Sequence, residues 1–319
     1  MTTPARASDP GGPAAAFPFP VEVPYRMRAD LVRLDGPVAP RLPDEEALLA
    51  AKRAALATRA ARVRVPDPER DPDDLARDVA AALPALASAR PDRVRPGATP
   101  DAPMLHDPDG RAWSFPLLEP DDPAVAEGPA WRRLADAAAL SFAEDLVWIR
   151  DDGGAGRASL LQVAFPSHWP PERRAGASLL ELHGPVADGE RLRAASVALT
   201  RAIVRKGPFR RHVWSLNPTP ALDRHPDADG VSGAPAGQVA TLADAWFRVE
   251  VQTTVPLPQA GLALFLIRVR VAPLREVLAA APGRAARLAA SIRSMSDAVR
   301  RYKGLAEGAE GLLAQLDRA

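Results

Sequence analysis

Apolar and polar residues alternate most regularly in two segments near the C-terminus, residues 246–255 and 262–271. In the first segment one set of alternate residues includes Arg248, Glu250 and Gln252, whereas the other set is mainly Phe and Val. A period of two is typical of a strand that buries one face. Residues 256–261, which include two prolines and a glycine, provide a turn. The sequence therefore predicts an antiparallel hairpin.

Helical spacing of apolar residues predicts helices elsewhere. In the last of these segments Leu288, Ile292, Met295, Val299 and Tyr302 follow one another at steps of three and four. Helices and strands occur without the regular βαβ alternation of a parallel sheet, so we expect an α+β fold with an antiparallel sheet and flanking helices. The predicted helices cover residues 43–62, 74–86, 131–148, 188–205 and 284–302, and a further strand covers residues 159–165.

Proline is frequent, with 35 among 319 residues, which is roughly twice its usual share and predicts many loops. Residues 1–20 combine five prolines with no apolar periodicity. We therefore predict a disordered tail over residues 1–20 and a single domain over residues 21–319. The N-terminus has no signal-peptide pattern, and no apolar run approaches the ~18 residues of a membrane span. We expect a cytoplasmic protein that does not enter a membrane.

Charge and composition exclude several classes of function. The 41 basic and 40 acidic residues leave a net charge of +1, which gives no field to gather nucleic acid. Because only Lys52, Lys206 and Lys303 are lysines, the many arginines reflect a compositional bias. The chain has no cysteine, which excludes disulfides, thiolate nucleophiles and thiolate-bound iron–sulfur clusters.

Five histidines are the main candidates for metal ligands. Their spacing contains no His-Glu-x-x-His pair, so zinc hydrolysis has no support, and phosphate-binding glycine loops are missing as well. His168 lies between prolines in residues 165–171, and His183 precedes Gly184 and Pro185. Either histidine is equally compatible with a hydrogen-bonded structural turn. The five are His106, His168, His183, His212 and His225.

The polar side of the predicted hairpin is the second candidate site. If this side faces solvent, its charges need no partner. If it faces a cavity, Glu250 must be paired with an arginine such as Arg248, Arg268 or Arg270, and its carboxylate would then bind an organic cation. The basic cluster at residues 205–212 is either a solvated loop or an anion site.

Several short segments of distinctive sequence follow one another along the chain. They are Phe142-Ala-Glu-Asp-Leu146, Phe165-Pro-Ser-His-Trp169, Leu182-His-Gly-Pro-Val186, Arg211-His-Val-Trp-Ser215, Val249-Glu-Val-Gln-Thr253 and Arg301-Tyr-Lys-Gly-Leu305. Taken in this order, they resemble a known family, the haem-binding alpha-subunit family of haem-dependent oxidative N-demethylase. The resemblance extends weakly to Tyr25-Arg-Met27 and departs from the family pattern at His168, Val213 and Val251.

The resemblance implies a PAS-type sheet that encloses haem b. It also implies an oxidoreductase that uses O2 to remove a methyl group from a small secondary amine such as dimethylamine. Electrons would come from partner subunits with flavin, an iron–sulfur centre and a reduced nicotinamide site. Because this chain has no cysteine, thiolates for the iron–sulfur centre would have to lie on another chain. The three departures leave open a haem-binding sensor or a haem-free interaction module of the same fold.

The resemblance also implies roles for individual residues. His183 stands in the family's His-x-Pro-Val context and is the expected axial ligand of the haem iron, with His168 as the second candidate. Glu250 would hold the ammonium group of the substrate, with Gln252 and Thr253 orienting it. The remaining expected cofactor-binding residues are Trp169 and Trp214, and Arg211, Arg248 and Arg268 as anchors of the propionates.

Overall fold

The structure is a computed structural model that describes residues 17–182, 190–227, 239, 241–305 and 308–319. Its strands are β1 (Val32–Arg33), β2 (Arg64–Pro66), β3 (Arg95–Pro96), β4 (Met104–His106), β5 (Ala112–Ser114), β6 (Asp145–Arg150), β7 (Arg157–Gln162), β8 (Phe209–Asn217), β9 (Trp246–Leu257) and β10 (Leu262–Pro273). Its helices are α1 (Glu45–Val63), α2 (Pro72–Ala89), α3 (Pro123–Ala126), α4 (Ala130–Ser141), α5 (Leu179–Leu182), α6 (Glu190–Ala194), α7 (Ser196–Arg205), α8 (Leu274–Ala279), α9 (Arg284–Arg293), α10 (Asp297–Tyr302) and α11 (Ala309–Leu316).

A seven-stranded antiparallel sheet organises the chain, in the order β1-β8-β9-β10-β6-β7-β2, and a small sheet has the order β3-β5-β4. The predicted hairpin is confirmed as β9 and β10, with Glu250 opposite Val269. Gly261 closes the turn at φ 65°, a conformation that glycine adopts without steric cost. The expected α+β class with an antiparallel sheet is also confirmed.

The two faces of this sheet have different neighbours. On the outer face, Leu146, Trp148 and Leu264 pack with α2 and α4, and Phe247 and Val249 pack with α8, α9, α10 and α11. The opposite, inner face carries the residues that lie between these outer-face residues along each strand. Part of this inner face packs with α1, α5 and α7. Each strand of the hairpin is therefore covered on both sides, which a one-sided alternation does not reveal.

Three predicted helices have different boundaries in the structure. The helix predicted over residues 131–148 ends at Ser141, and β6 begins at Asp145. The prediction failed because a fully buried strand lacks the alternation that distinguishes it from a helix. The helix predicted over 284–302 is divided into α9 and α10, and Ser296 caps α10 by accepting a hydrogen bond from the Val299 N–H at 3.2 Å. The helix predicted over 188–205 is divided into α6 and α7, and Asp188 lies outside the described residues. The strand predicted over 159–165 ends at Gln162.

The segment before Val21 contributes aromatic rings to the outer face. Phe17 is buried and contacts Phe247 edge-on, and Phe19 stacks on the same ring at 5.5 Å between centroids. Residues 17–20 therefore belong to the packed chain, although they fall within the predicted tail. Residues 1–16 lie outside the described part. In the described ranges no helix is long and apolar enough to span a membrane.

Candidate functional site

A cavity of about 1350 Å³ borders the inner face of the sheet. Its wall is apolar where β6, β7 and β10 meet the helices, and polar along β8, β9 and the segment after β7. The apolar lining includes Val147, Ile149, Leu161, Leu179, Ile203, Phe265 and Ile267. The polar lining includes Asp145, Ser167, His168, Arg211, Asn217, Arg248, Glu250 and Gln252. The polar side of the hairpin therefore faces a cavity.

Glu250 provides a carboxylate in this cavity. Its Oε1 accepts a hydrogen bond from Ser167 Oγ, and its Oε2 accepts one from Gln252 Nε2 at 2.8 Å. Arg248 Nε lies 3.9 Å from Oε1, and the Glu250 side chain is 16% exposed. Ser167 and Gln252 use only part of the about four acceptor positions of a carboxylate. Glu250 therefore keeps acceptor capacity for a ligand.

Gln252 joins this carboxylate to a cation. Its Oε1 accepts a hydrogen bond from Arg211 Nε at 2.6 Å, while its Nε2 donates to Glu250. A guanidinium only donates hydrogen bonds and a carboxylate only accepts them. The orientation of the Gln252 amide is therefore fixed by its two charged neighbours.

Residues 165–168, which carry Ser167, are anchored at their start by two charged side chains. Asp145 accepts hydrogen bonds from the Ala164 and Phe165 N–H groups, both at 3.0 Å. Arg248 Nη2 donates to the Phe165 carbonyl at 2.7 Å. Burial raises the pKa of Asp145 to about 6, and the nearby Lys52 ammonium opposes this rise. These contacts place Ser167 against Glu250.

The second guanidinium nitrogen of Arg248 is also engaged by the backbone. Its Nη1 donates to the Leu222 carbonyl at 2.7 Å. Burial lowers the pKa of Arg248, and the charge of Glu250 opposes this effect. Both terminal nitrogens of Arg248 therefore donate to backbone carbonyls, and the side chain positions the chain around Glu250. This use of the guanidinium differs from the expected role of Arg248 as an anchor of a propionate.

His168 lines the cavity, and its Nε2 is engaged by Arg224. Its Nε2 accepts from Arg224 Nε at 3.3 Å and Nη2 at 3.2 Å, and its N–H donates to the Arg224 carbonyl at 2.9 Å. Burial, together with Arg224 and Arg248, lowers the pKa of His168 to about 4. The ring is therefore neutral at pH 7, with its proton on Nδ1. Because the Nε2 lone pair is used, this arrangement does not offer Nε2 as an iron ligand.

The other expected site residues are distributed over both faces. Trp169 and Trp214 both border the cavity, and the Trp214 ring also stacks on Phe247 in the outer-face core at 5.7 Å. Thr253 also points to the outer face, where its Oγ1 accepts from Arg210 Nε at 3.1 Å. His183 lies outside the described residues.

Arg268 does not border the cavity, contrary to the expectation that it anchors a propionate. Its Nη2 pairs with Glu144 Oε1 at 3.0 Å, and its Nη1 pairs with Asp44 Oδ1 at 3.3 Å. The reason is strand parity, because Arg268 lies opposite Val251 on the outer face.

The sequence reasoning missed Asp145, Lys52 and Arg224. Only once Asp145–Arg150 is known to be a strand does the segment Phe142-Ala-Glu-Asp-Leu146 indicate that its two adjacent acids point to opposite faces. Both acids are buried in the structure. Arg224 has no such signal, because it lies in a loop and contacts His168 only through the tertiary fold.

A separate group of potential metal ligands lies outside the cavity. Glu172, His225 and Asp227 place ligand-type atoms within 4.8 Å of one another. His225 Nε2 is 3.0 Å from Glu172 Oε1, and its Nδ1 accepts from the Asp227 N–H at 3.0 Å. Both imidazole nitrogens are therefore used within the protein, and hydrogen bonding accounts for the cluster.

An antiparallel sheet with a large, partly apolar cavity on one face and a buried polar cluster inside it is the arrangement of a ligand-binding α+β protein. A protein-family profile matches residues 123–313, which is more than half of the chain. The family is described as "Haem-dependent oxidative N-demethylase, alpha subunit-like". The chain belongs to this family, as its sequence resemblance predicts. Among curated proteins, none matches the chain significantly.

The cavity fits the haem that the family description names. Its volume exceeds the roughly 300–1000 Å³ of common small-molecule pockets, and its apolar wall suits a large aromatic macrocycle. Two arginines in the lining also have donor capacity for carboxylates. Within the described ranges, no side-chain partner contacts the Arg174 guanidinium, and Arg211 Nη2 has no hydrogen-bond acceptor.

Proposed function

We propose that this chain is a haem-dependent oxidoreductase that removes a methyl group from a small secondary amine of the dimethylamine type. Glu250 is the observation that carries this proposal. It is an oriented carboxylate with free acceptor capacity in a cavity that also has an apolar wall. A secondary ammonium group has two N–H donors, which match this remaining capacity.

Haem b is the cofactor we propose for the cavity. His183 is our candidate for the axial ligand because of its sequence context, and Arg174 and Arg211 are candidates for holding the propionates. A bound haem supplies the activation of O2 and the oxidation of the methyl carbon. The overall reaction would consume O2, two electrons from a partner and two protons, and it would yield formaldehyde from the methyl group, the primary amine and one water.

The residues of this chain bind and orient the substrate. The Glu250 carboxylate accepts hydrogen bonds from the substrate ammonium, while Ser167 and Gln252 prevent rotation of that carboxylate. The apolar wall around Val147, Phe265 and Ile267 excludes water and strengthens the ion pair. Substrate methyl groups would lie against this wall.

Electrons must come from another protein in this proposal. The family description names an alpha subunit, and the chain has no cysteine for an iron–sulfur centre. We propose partner subunits that carry flavin and an iron–sulfur centre and take electrons from a reduced nicotinamide.

Two measurements test the proposal. The protein is expressed with a haem precursor, and its absorbance spectrum is recorded. We expect a Soret band that His183→Ala removes. Dimethylamine and a reductase are then added, and formaldehyde is assayed. Glu250→Gln should abolish formaldehyde release while the Soret band remains, whereas Glu276→Gln, on the exposed side of α8, should change neither.

A protein without a Soret band would contradict haem binding and would favour a haem-free interaction module. A stable Soret band without formaldehyde release would contradict catalysis and would favour a haem-based sensor of the same fold.

A further inference from the structure

The inner face of the hairpin and its neighbour β8 carry two opposite charges that are kept apart. Arg211 on β8 and Glu250 on β9 both line the cavity, and Gln252 hydrogen-bonds to each of them. Opposite charges in a partly buried site attract each other strongly, because the effective dielectric constant there is well below that of water. Without the amide between them, the two side chains would be expected to form a direct ion pair.

Arg211 has donor capacity left on the cavity side. Its Nε donates to Gln252, and its Nη1 donates to the Ala29 carbonyl at 3.3 Å. As far as the described residues show, Nη2 has no hydrogen-bond acceptor. Burial lowers the pKa of Arg211, and the carboxylates of Glu250 and Asp30 oppose this effect, so the guanidinium stays charged.

The spacing suits a small zwitterion. The path from Arg211 to Glu250 through Gln252 runs over one oxygen, one carbon and one nitrogen of the amide. In an amino acid whose ammonium nitrogen and carboxylate are attached to the same carbon, three bonds lead from a carboxylate oxygen to the nitrogen. The path from Oε1 to Nε2 of Gln252 has two bonds, so the ligand spans one bond more. Because Nε and Nη1 of Arg211 already donate within the protein, Nη2 is the nitrogen left for such a carboxylate.

We propose that the cavity binds an N-methylated amino acid, with its ammonium group on Glu250 and its carboxylate on Arg211. This assignment rests on the proposed function, since it names the substrate class of the same amine site. Gln252 then acts as a spacer that sets the distance between the two charges. A plain dialkylamine would occupy Glu250 alone and would provide no acceptor for Arg211 Nη2.

The carboxylate has a second source, because a haem propionate offers the same chemistry to Arg211. The two sources make different demands on the free ligand. If Arg211 binds the substrate, affinity depends on the charge of the substrate carboxyl group. If it binds a propionate, haem content depends on Arg211 and amine affinity does not.

Isothermal titration calorimetry of the purified protein, as isolated with its haem, tests the assignment. The probes are N-methylglycine, N-methylglycinamide, in which an uncharged amide replaces the carboxylate, and dimethylamine. We expect N-methylglycine to bind about ten- to a hundredfold more tightly than the amide, which is the range for one charged hydrogen bond. Arg211→Gln should remove this preference, so that N-methylglycine and its amide bind with equal affinity.

The matched control is Arg174→Gln, which removes one positive charge from the same cavity without touching Gln252. It should keep the preference for N-methylglycine. Equal affinities of the wild-type protein for N-methylglycine and its amide would overturn the assignment, and this comparison needs no variant. A loss of haem from Arg211→Gln together with such equal affinities would assign the guanidinium to a propionate.

Failure of the amine site itself gives a different result. If dimethylamine binds and releases formaldehyde but N-methylglycine is not preferred, only the carboxylate position is wrong. If none of the three probes binds, both the zwitterion assignment and the amine site at Glu250 are wrong.

Discussion

Lys52 joins α1 to the start of β6, and its replacement is a sensitive test of the structure. The side chain is 1% exposed. Its Nζ donates to the carbonyls of Phe142 at 2.8 Å and Glu144 at 2.5 Å, and it lies 3.9 Å from Asp145 Oδ1. Lys52→Met keeps an unbranched side chain that is one atom shorter and removes its charge and all of its donors.

The expected loss of stability follows from these contacts. A buried carbonyl that loses its partner costs about 1–3 kcal/mol, and removing one member of a buried ion pair costs about 3–5 kcal/mol. The terms overlap, because the same ammonium makes all three contacts. We expect Lys52→Met to lower the free energy of unfolding by about 3–5 kcal/mol at pH 7.

The same lysine predicts a pH dependence. Burial lowers its pKa from 10.5 to about 8, while Asp145 and Glu144 oppose this shift. Between these two values the unfolded chain binds more protons than the folded chain, so the stability provided by this group rises with pH. At about 1.4 kcal/mol per pKa unit, the rise amounts to about 3 kcal/mol. Lys52→Met and Lys52→Arg should both lack it.

Urea denaturation followed by circular dichroism at pH 7, 8, 9 and 10 measures both effects. Lys206→Met is the control, because Lys206 is exposed at the end of α7, and it should change stability by less than about 0.5 kcal/mol. A Lys52→Met protein within about 1 kcal/mol of the wild-type stability at pH 7 would contradict the stabilising role of the Lys52 contacts. Parallel stability profiles of the wild-type protein and Lys52→Met from pH 8 to 10 would contradict the lowered pKa of Lys52.

Three further variants separate the roles of individual contacts. Ser167→Ala should lower the affinity for dimethylamine about fivefold in calorimetry through the loss of one hydrogen bond to Glu250; unchanged affinity would remove Ser167 from the site. His168→Gln should leave the Soret maximum unchanged, since His168 Nε2 is held by Arg224, and a shifted maximum would show that His168 contacts iron. Arg268→Met should lower the free energy of unfolding by about 3–5 kcal/mol, because it leaves Glu144 buried without a partner. The haem content per folded protein should stay constant, and a selective loss of haem would indicate that Arg268 anchors a propionate.

The hairpin could be predicted because its residues alternate with a period of two, and the side chains of Glu250 and Gln252 share a face for the same reason. The boundary between α4 and β6 could not. Leu146, Val147, Trp148 and Ile149 are all buried, so no periodicity distinguishes this strand from the apolar end of a helix.

The contacts within the site were less predictable than the elements that carry them. Ser167 and Glu250 are 83 residues apart and meet only through the arrangement of the sheet. The alternation of residues 246–255 predicts that Arg248 is a charged neighbour of Glu250. Its engagement with two backbone carbonyls depends on loops whose paths the local pattern does not determine.

Glu144 and Asp145 are consecutive residues whose carboxylates serve opposite faces of the sheet, one holding Arg268 and the other the backbone at Ala164 and Phe165. A shift of this strand by one residue would exchange the two faces. It would place an unpaired carboxylate in each core. Single-residue insertions or deletions at the start of β6 should therefore abolish the fold of this chain. Length changes in the exposed loops of the chain should be tolerated.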